Sequence, residues 1–325
     1  MKIKKLISAA AALALAAVTG ASLAGCGGST AKYTIGICQL VQHDALDAAT
    51  QGFKDALKEK LGDDVEFQEQ NAANDPATCA TIVNQFVSND VDLIMANASA
   101  SLQAAAQATE DIPIVATSIT DFATALEISE WTGKTGTNVT GTADLAPLKE
   151  QAEMIKELCP DAKLVGILYN SGEANSKYQS DEISKYLTEL GIESKEFTSA
   201  DSNDLATVVT AACEEVDVIY IPTDNTMASS TEIINNIAEP AGIPIIAGEA
   251  GICRGCGIAT LSIDYYSIGY KAGEMAYEIL VNGANPGDME IEYADDLTKQ
   301  YMASRCEKLS ITVPDDYTSM SEEEE

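Results

Sequence analysis

Residues 33–57 read YTIGICQLVQHDALDAATQGFKDAL and contain one complete strand followed by a helix. The apolar run Tyr33–Leu40 predicts a buried strand. Asp44 stands at the position of a helix N-cap. Apolar residues then recur at helical spacing, at Leu46, Ala49, Phe53 and Leu57. A second strand, Val65–Ala72, follows, so this region predicts the strand–helix–strand unit of a parallel sheet.

The same alternation of strands and helices continues through most of the chain, with one interruption. The further strands are Val91–Ala98 and Ile112–Ile119 in the first half, and Lys163–Tyr169, Glu193–Thr198, Val216–Pro222, Ile243–Gly248 and Gly257–Ile263 in the second. Between the halves, Thr132–Gly141 is rich in Gly, Thr and Asn and is interpreted as a connection. We therefore predict an α/β fold of two doubly wound parallel-sheet lobes with a ligand cleft between them.

These patterns divide the chain into five expected parts. The parts are 1–25 (a lipoprotein signal peptide), 26–32 (a tether), 33–141 plus 250–283 (the N-terminal lobe), 142–249 plus 284–316 (the C-terminal lobe) and 317–325 (an acidic tail). The tail ends in four consecutive glutamates, and its expected role is solubility.

The N-terminus has the order of a bacterial lipoprotein signal. Lys2, Lys4 and Lys5 precede an apolar stretch that is too short and too rich in Ala for a spanning helix. Leu23-Ala24-Gly25-Cys26 then looks like a lipobox, in which the Cys26 thiol carries a diacylglycerol and becomes the first residue after cleavage. The alternative is an ordinary secretory signal with an incidental cysteine. The expected location is therefore the outer face of the cell membrane, held by lipid.

Charge and cysteine content exclude several classes of protein. The formal net charge of −32 disfavours binding to nucleic acid or to anionic lipid. Seven cysteines remain besides Cys26, an odd number that lies mostly in apolar runs and does not resemble a disulfide scaffold. Cys253-Arg254-Gly255-Cys256 is a single CxxC in a predicted Gly-rich loop between two strands. Free thiols or a local disulfide are preferred there over a redox site, and a metal site ranks last, since structural zinc needs four ligands.

No catalytic motif is present. The sequence has neither the Gly-rich phosphate loop ending in Gly-Lys-Ser/Thr nor a Gly-x-Ser-x-Gly elbow. His43 is the one histidine in the sequence, and no nucleophile is evidently paired with it. We therefore expect no enzymatic activity, no cofactor and no metal, and any ATPase has to be a separate chain.

Polar residues follow the predicted strands, and ligands of open parallel sheets bind at those strand ends. The candidate ligand-binding residues are Gln39, Ser99, Asp121, Asn175, Ser176, Asp224, Asn225 and Asp264. Ser99 opens a helix, where a hydroxyl and free backbone N–H groups favour an anion. Asp224 and Asp264 suit a cation, so the set fits a zwitterion. Tyr265 and Trp131 are the two candidates for contact with the ligand's side chain.

Each of these residues also has a purely structural interpretation. Ser99, Asp224 and Asp264 all precede helices, and helix capping is the commoner role for such residues. Asn175 is then a loop residue, with Ser176 as the cap beside it.

Six ordered stretches resemble the ABC transporter substrate-binding protein family that includes tryptophan and tyrosine uptake proteins. They are Gly36-Ile37-Cys38-Gln39-Leu40 with His43-Asp44-Ala45-Leu46-Asp47, Ile119-Thr120-Asp121, Asn138-Val139-Thr140-Gly141, Leu168-Tyr169-Asn170 with Glu173-Ala174-Asn175-Ser176, Ile221-Pro222-Thr223-Asp224-Asn225, and Ile263-Asp264-Tyr265-Tyr266-Ser267-Ile268-Gly269. The resemblance covers residues 33 to 313. It implies a type I periplasmic-binding-protein fold whose lobes are joined by three crossovers.

The resemblance also implies site residues and partners. It implies that the cleft is lined by Ser99, Asn175, Ser176, Asp224 and Asp264. This chain has Ser99-Ala100 where members often have Thr-Pro, and Phe122 where many have Pro. The expected function is that of an extracytoplasmic solute-binding lipoprotein that binds an amino acid, aromatic as first candidate, and serves an ABC permease and its ATPase subunits. The alternatives are a ligand-sensing receptor without transport, a binder of a nucleoside or sugar, and an enzyme built on the same fold.

Overall fold

The structure, a computed structural model, describes residues 31–294 and 297–321. The strands are β1 (Tyr33–Gln39), β2 (Val65–Asn71), β3 (Leu93–Asn97), β4 (Ile114–Ile119), β5 (Val139–Ala143), β6 (Leu164–Asn170), β7 (Glu193–Ser199), β8 (Val218–Ile221), β9 (Ile245–Ala247), β10 (Ala259–Ile263), β11 (Glu292–Tyr293), β12 (Leu297–Tyr301) and β13 (Thr318–Ser319). The signal peptide, Cys26 and the last four glutamates lie outside the described residues.

Helices connect most of these strands. They are α1 (Asp44–Leu61), α2 (Pro76–Ser88), α3 (Ser99–Ala108), α4 (Phe122–Ala125), α5 (Leu148–Leu158), α6 (Ala174–Glu189), α7 (Leu205–Glu215), α8 (Asn225–Ala228), α9 (Thr231–Ala241), α10 (Ala250–Cys256), α11 (Tyr265–Asn282) and α12 (Ala303–Lys308), with 3-10 turns at Gly62–Asp64 and Pro286–Asp288. Asp44 is the first residue of α1 rather than its cap, which is His43. Among the described residues, no helix is long and apolar enough to cross a membrane.

The strands form two sheets, one in each lobe. The first has the order β11-β5-β4-β3-β1-β2 and is parallel throughout. The second has the order β13-β12-β10-β9-β8-β6-β7 and is parallel except where β12 runs against β10. The α/β architecture predicted from the sequence is therefore confirmed. The carboxyl ends of the parallel strands are the positions at which such sheets bind ligands.

The chain crosses between the sheets three times, after β5, after β10 and between β11 and β12. The predicted lobe boundaries differ from this path. Strand β10 belongs to the second sheet, because it pairs with β9 and β12, whereas the sequence analysis predicts 250–283 in the first lobe. Conversely, β11 pairs with β5 in the first sheet although residues 284–316 were assigned to the second lobe. The expected tail starts too early as well, since β13 pairs with β12 and Tyr317 is buried.

Helix α11 follows the second crossover and returns to the first lobe, where it packs along α1. Glycines permit the close approach, since a Cβ at Gly269 would lie 2.0 Å from the carbonyl oxygen of Ala49. A Cβ at Gly52 would lie 2.2 Å from the carbonyl oxygen of Tyr266. This packing fixes the N-terminus of α11, and with it Tyr265, at the junction of the two lobes.

The CxxC segment is a helix, α10, and not the Gly-rich loop expected from the sequence. Both thiols are free and buried, at Cys253 and Cys256. The Arg305 guanidinium donates hydrogen bonds of 2.8–3.1 Å to four carbonyl groups at the end of this helix, including those of Cys253 and Gly255. A cation at the carboxyl end of a helix satisfies its free carbonyls and its dipole. Arg305 therefore stabilises the helical conformation that this glycine-containing segment has by itself little tendency to adopt.

Candidate ligand-binding cleft

A small cavity lies between the lobes, at the strand ends of both sheets. Three buried carboxylates line it: Asp144 after β5, Asp224 after β8 and Glu249 after β9. Its free volume is about 20 Å³, so the lobes have to separate before a solute the size of an amino acid can enter. Charged groups this deeply buried are rare unless they have a partner or a function.

Asp144 is held by hydroxyl groups. Thr120 Oγ1 donates to its Oδ1 at 3.1 Å, and the Tyr265 hydroxyl donates to its Oδ2 at 2.9 Å. Burial raises the pKa of Asp144 to about 6, although the hydrogen bonds from the two hydroxyl groups act to lower it. A cation placed beside this carboxylate would favour its ionised form.

Asp224 is the most heavily bonded of the three carboxylates. Its Oδ2 accepts from the backbone N–H of Asn170 at 2.7 Å and from Ser176 Oγ at 2.8 Å, and its Oδ1 accepts from Met227 N–H at 2.8 Å. Burial, and then the nearby charge of Glu173, raise its pKa well above the usual range. Asp224 thus joins the starts of α6 and α8 to the end of β6, in agreement with the capping role that the sequence left open.

Glu249 caps α10. Its carboxylate accepts from the backbone N–H of Gly251 at 2.6 Å and from that of Ile252. Burial raises its pKa, and the neighbouring His43 opposes that rise. The first lobe therefore contributes His43 to the environment of a carboxylate that belongs to the second lobe.

Ser118 also lines the cavity, and its conformation is unusual. It has a φ of 58°, in the left-handed region that side chains other than glycine rarely adopt. The register between β4 and β5 shifts between Ala116 and Ile119, so Ser118 lies in a bulge. Its Oγ is buried and, within the part of the chain that the structure describes, has no hydrogen-bond partner.

A second pocket of about 180 Å³ adjoins the cavity through Asn175, which lines both. Ser99 and Ala100 at the start of α3 line it from the first lobe, and Glu173 and Ala174 at the start of α6 line it from the second. The Glu173 carboxylate accepts hydrogen bonds from Asn225 and Thr226. Neither helix has a side-chain cap. Free N–H groups and the helix dipole make such an end attractive to an anion, and here two of them face one pocket.

The structure separates the candidate residues into two groups. Asn175, Asp224 and Asn225 line the cavity, Ser99 lines the adjoining pocket, and Ser176 lies buried behind Asp224. The other three lie elsewhere.

Gln39, Asp121 and Asp264 do not line the cavity. The Gln39 amide donates to Val41 O and Asp47 Oδ1 within the first lobe. Asp121 caps α4. Asp264 is exposed, caps α11 and lies in a neighbouring groove between the lobes, which Glu249 and Tyr265 also line.

The sequence analysis does not predict Asp144 as a site residue, because it interprets the preceding strand as part of a connection. The segment that ends at Gly141 was interpreted as a connection, whereas Val139–Ala143 forms β5, and Asp144 follows it. Gly141 has a φ of 151°, and a Cβ there would lie 1.9 Å from the carbonyl oxygen of Ala116. The glycine that suggested a loop is required because two strands approach closely here. Of the two candidates for side-chain contact, Tyr265 lines the cavity and Trp131 packs against the core of the first lobe.

Among the residues that the structure describes, side-chain contacts join the lobes around the cleft. Asp44 pairs with Arg254, Asn74 Nδ2 donates to Thr226 Oγ1 at 2.9 Å, and His43 Nε2 lies 3.3 Å from Asn225 Oδ1. The cleft is therefore in a closed arrangement.

Two α/β lobes, three crossovers and a polar cleft at the strand ends define a two-lobed solute-binding protein. The family model for ABC transporter substrate binding protein matches residues 34–324, and the chain belongs to that family. It is thus the solute-binding component of an ABC transporter, which works with a permease and an ATPase, and it is a binder rather than an enzyme.

Two relatives are similar over most of their length. A tyrosine-binding protein of Clostridioides difficile (strain R20291) is 38% identical over 314 residues, which cover 91% of this chain and 89% of the relative. A crystal structure of an ABC domain from Streptococcus pneumonia in complex with L-Trp is 32% identical, with a TM-score of 0.84, and covers 88% of this chain and 97% of that one.

A ligand-free, open structure gives a contrast. It is a substrate-binding protein with adhesive properties from Clostridium difficile, 36% identical, and covers 90% of this chain and all of that one, with a TM-score of 0.68. The overall similarity is thus greater to the L-Trp complex, although the sequence identity is slightly lower. The lobe arrangement described above is closer to that of a ligand-bound relative.

Proposed function

We propose that this protein is an extracytoplasmic lipoprotein that binds a zwitterionic amino acid, with aromatic amino acids as first candidates, and delivers it to an ABC importer. The observation that carries the proposal is the cleft itself. Three buried carboxylates line the cavity, and two uncapped helix N-termini face the pocket beside it. Sites for a cation and for an anion therefore lie next to each other, as the two charged groups of an amino acid require.

The ammonium group is matched by the carboxylates. Asp144, Asp224 and Glu249 all have raised pKa values because burial disfavours their charged forms. A ligand cation in the cavity supplies the missing counter-charge, so ionised carboxylate and bound ammonium stabilise each other. A neutral sugar offers no such compensation.

The carboxylate group is matched by the adjoining pocket. Ser99 supplies a hydroxyl and the N-terminus of α3, and Asn175 lies in the first turn of α6. Ser176 acts through its bond to Asp224, which fixes the start of α6. The two helices belong to different lobes, so a ligand carboxylate between them favours the closed arrangement.

The preference for an aromatic side chain is supported by the relatives, one named as tyrosine-binding and one solved with L-Trp. In this chain Tyr265 and Leu46 line the cavity and offer apolar contact. The lipid anchor is supported by the residues before Cys26, which resemble a lipoprotein signal.

A thermal-shift screen tests the proposed ligand class. Purified protein is melted with each of the amino acids, with nucleosides and with sugars. We expect L-tyrosine or L-tryptophan to raise the melting temperature, because a ligand that binds only the folded state stabilises it by mass action. A rise with a sugar or nucleoside, and none with any amino acid, would contradict the proposal.

A further inference from the structure

Ser118 combines three features that its packing alone does not explain. It adopts a left-handed backbone conformation, it lies in a bulge between β4 and β5, and its side chain is only 6% exposed. A serine gains nothing locally from a positive φ, which glycine would adopt without strain. Strained residues of this kind persist where the surrounding structure imposes them, and they concentrate at ligand sites.

The Ser118 hydroxyl has no hydrogen-bond partner among the described residues. Other buried hydroxyls share that condition, at Thr140, Ser199 and Thr260, but none of them lines the interlobe cavity. Ser118 does line it, and a bulge is a structure that redirects a side chain. The missing partner of Ser118 is therefore expected in the cavity.

Asp144 lies in the same cavity and differs from the other two carboxylates. Asp224 and Glu249 accept hydrogen bonds from backbone N–H groups of the helices that they cap. The Asp144 carboxylate accepts from the hydroxyls of Thr120 and Tyr265. A carboxylate has about four acceptor positions, so Asp144 retains capacity for a ligand donor.

The charge of the cavity decides which ligand group these residues meet. The Ser118 hydroxyl can donate or accept, but an anion placed here would face three buried carboxylates. A primary ammonium has three N–H donors and no acceptor, and it needs oxygen atoms that converge from several directions. Ser118 and Asp144 both line this cavity and offer such oxygen atoms.

We propose that Ser118 and Asp144 of the first lobe bind the ammonium group of the ligand, with Tyr265 closing the subsite through its bond to Asp144. This inference rests on the proposed function and refines it, because among the three buried carboxylates it assigns the ammonium contact to Asp144, after β5, together with Ser118 near the end of β4. Asp224 then has a structural role, and Asp264 has none in binding.

Calorimetric titration of the full chain tests the subsite with three probes. They are L-tyrosine, tyramine, which lacks the carboxylate, and 3-(4-hydroxyphenyl)propionate, which lacks the amine. We expect Ser118→Ala to weaken binding of L-tyrosine and tyramine by roughly 10-fold, and Asp144→Asn by roughly 30-fold or more. Binding of the propionate should be unchanged in both variants. Ser199→Ala, which removes another buried hydroxyl that has no partner among the described residues, is the control and should bind all three probes as the wild type does.

The variant Ser118→Gly separates a loss of ligand affinity from a loss of protein stability. It removes the hydroxyl but also relieves the positive φ, so we expect a higher melting temperature together with the same loss of affinity. If the Ser118 and Asp144 variants bind L-tyrosine as tightly as Ser199→Ala does, the subsite is wrong while the proposed function stands. If the wild type binds tyramine and the variants do not, but no amino acid binds, the subsite stands and the proposed function fails. If the wild type binds none of the probes, both are overturned.

Discussion

Asp44 and Arg254 are 210 residues apart in the chain and form an ion pair of 2.5 Å that joins the two lobes across the mouth of the cleft. Asp44 is in the first turn of α1, and Arg254 is in the last turn of α10. Each charge is therefore also favourable to the dipole of its own helix. We expect separation of the lobes to break this pair, which would link closure of the cleft to the charge of two side chains.

Loss of this pair should speed the release of ligand. The side chains are 32% and 47% exposed, so the pair contributes little free energy, and we expect Arg254→Gln to weaken ligand binding by about 2- to 5-fold. Stopped-flow dissociation should show the change mainly in the off-rate, and added salt should reduce the difference between the wild type and the variant. Lys195→Gln breaks a more exposed pair of the same length within one lobe, with Glu215, and serves as the control. Equal off-rates for both variants would mean that Arg254 does not hold the cleft closed.

The fold was predictable from the sequence because strands and helices alternate with clear periods. Val91–Ala98, for example, is almost wholly apolar, and the core of that run is the buried strand β3. The path of the chain between the lobes was less predictable. The sequence of strand β10 does not show which sheet it joins, and its pairing with β9 and β12 assigns it to the second.

The site was predictable only in part. Asp224 and Asn175 follow recognisable strands, and both line the cavity. Asp264 follows a strand just as clearly, yet the direction of its side chain takes it to an exposed cap, which sequence spacing does not reveal. Asp144 was missed because β5 is short and contains the glycine of a close strand contact.

Asp144 should make the stability of the ligand-free protein depend on pH. Burial raises its pKa from 3.8 to about 6 in the folded state, so between these values the folded protein holds a proton that the unfolded chain releases. The free energy of unfolding should therefore fall as the pH rises from 4 to 6, by about 2 kcal/mol for this group. Urea unfolding of the wild type and of Asp144→Asn across this range measures the contribution, which the variant should lack. Parallel curves for the two proteins would show that Asp144 is not neutral when buried.

Asp224 should prove more important for stability than an ordinary helix cap. In Asp224→Ala three buried donors, on Asn170, Ser176 and Met227, lose their acceptor. We expect the free energy of unfolding to fall by about 2–4 kcal/mol. Asp121→Ala removes a cap with one backbone bond, to Thr124, and should cost about 1 kcal/mol. Urea unfolding measures both losses. If the free energy of unfolding falls equally in the two variants, Asp224 acts only as a helix cap.

Cys26 should determine where the protein is found in the cell. Two acyl chains on this residue are enough for stable anchoring, so Cys26→Ala should move the protein from the membrane fraction to the medium. Cys213→Ala, at a half-buried thiol on α7, should remain with the membrane. Fractionation followed by immunoblotting measures both. A Cys26→Ala protein that stays in the membrane fraction would place the anchor elsewhere.

The central claim is that the closed cleft binds both charged groups of one amino acid. Titration calorimetry of the wild-type protein tests it most directly, with L-tyrosine and L-tryptophan, with their N-acetyl forms and with their methyl esters. The account predicts one binding site per chain for a free amino acid. It also predicts a large loss of affinity when either the ammonium or the carboxylate is blocked, because each of these groups has its own binding partners in the cleft. Binding of an N-acetylated amino acid as tight as that of the free one, or no binding of any free amino acid, would contradict the account.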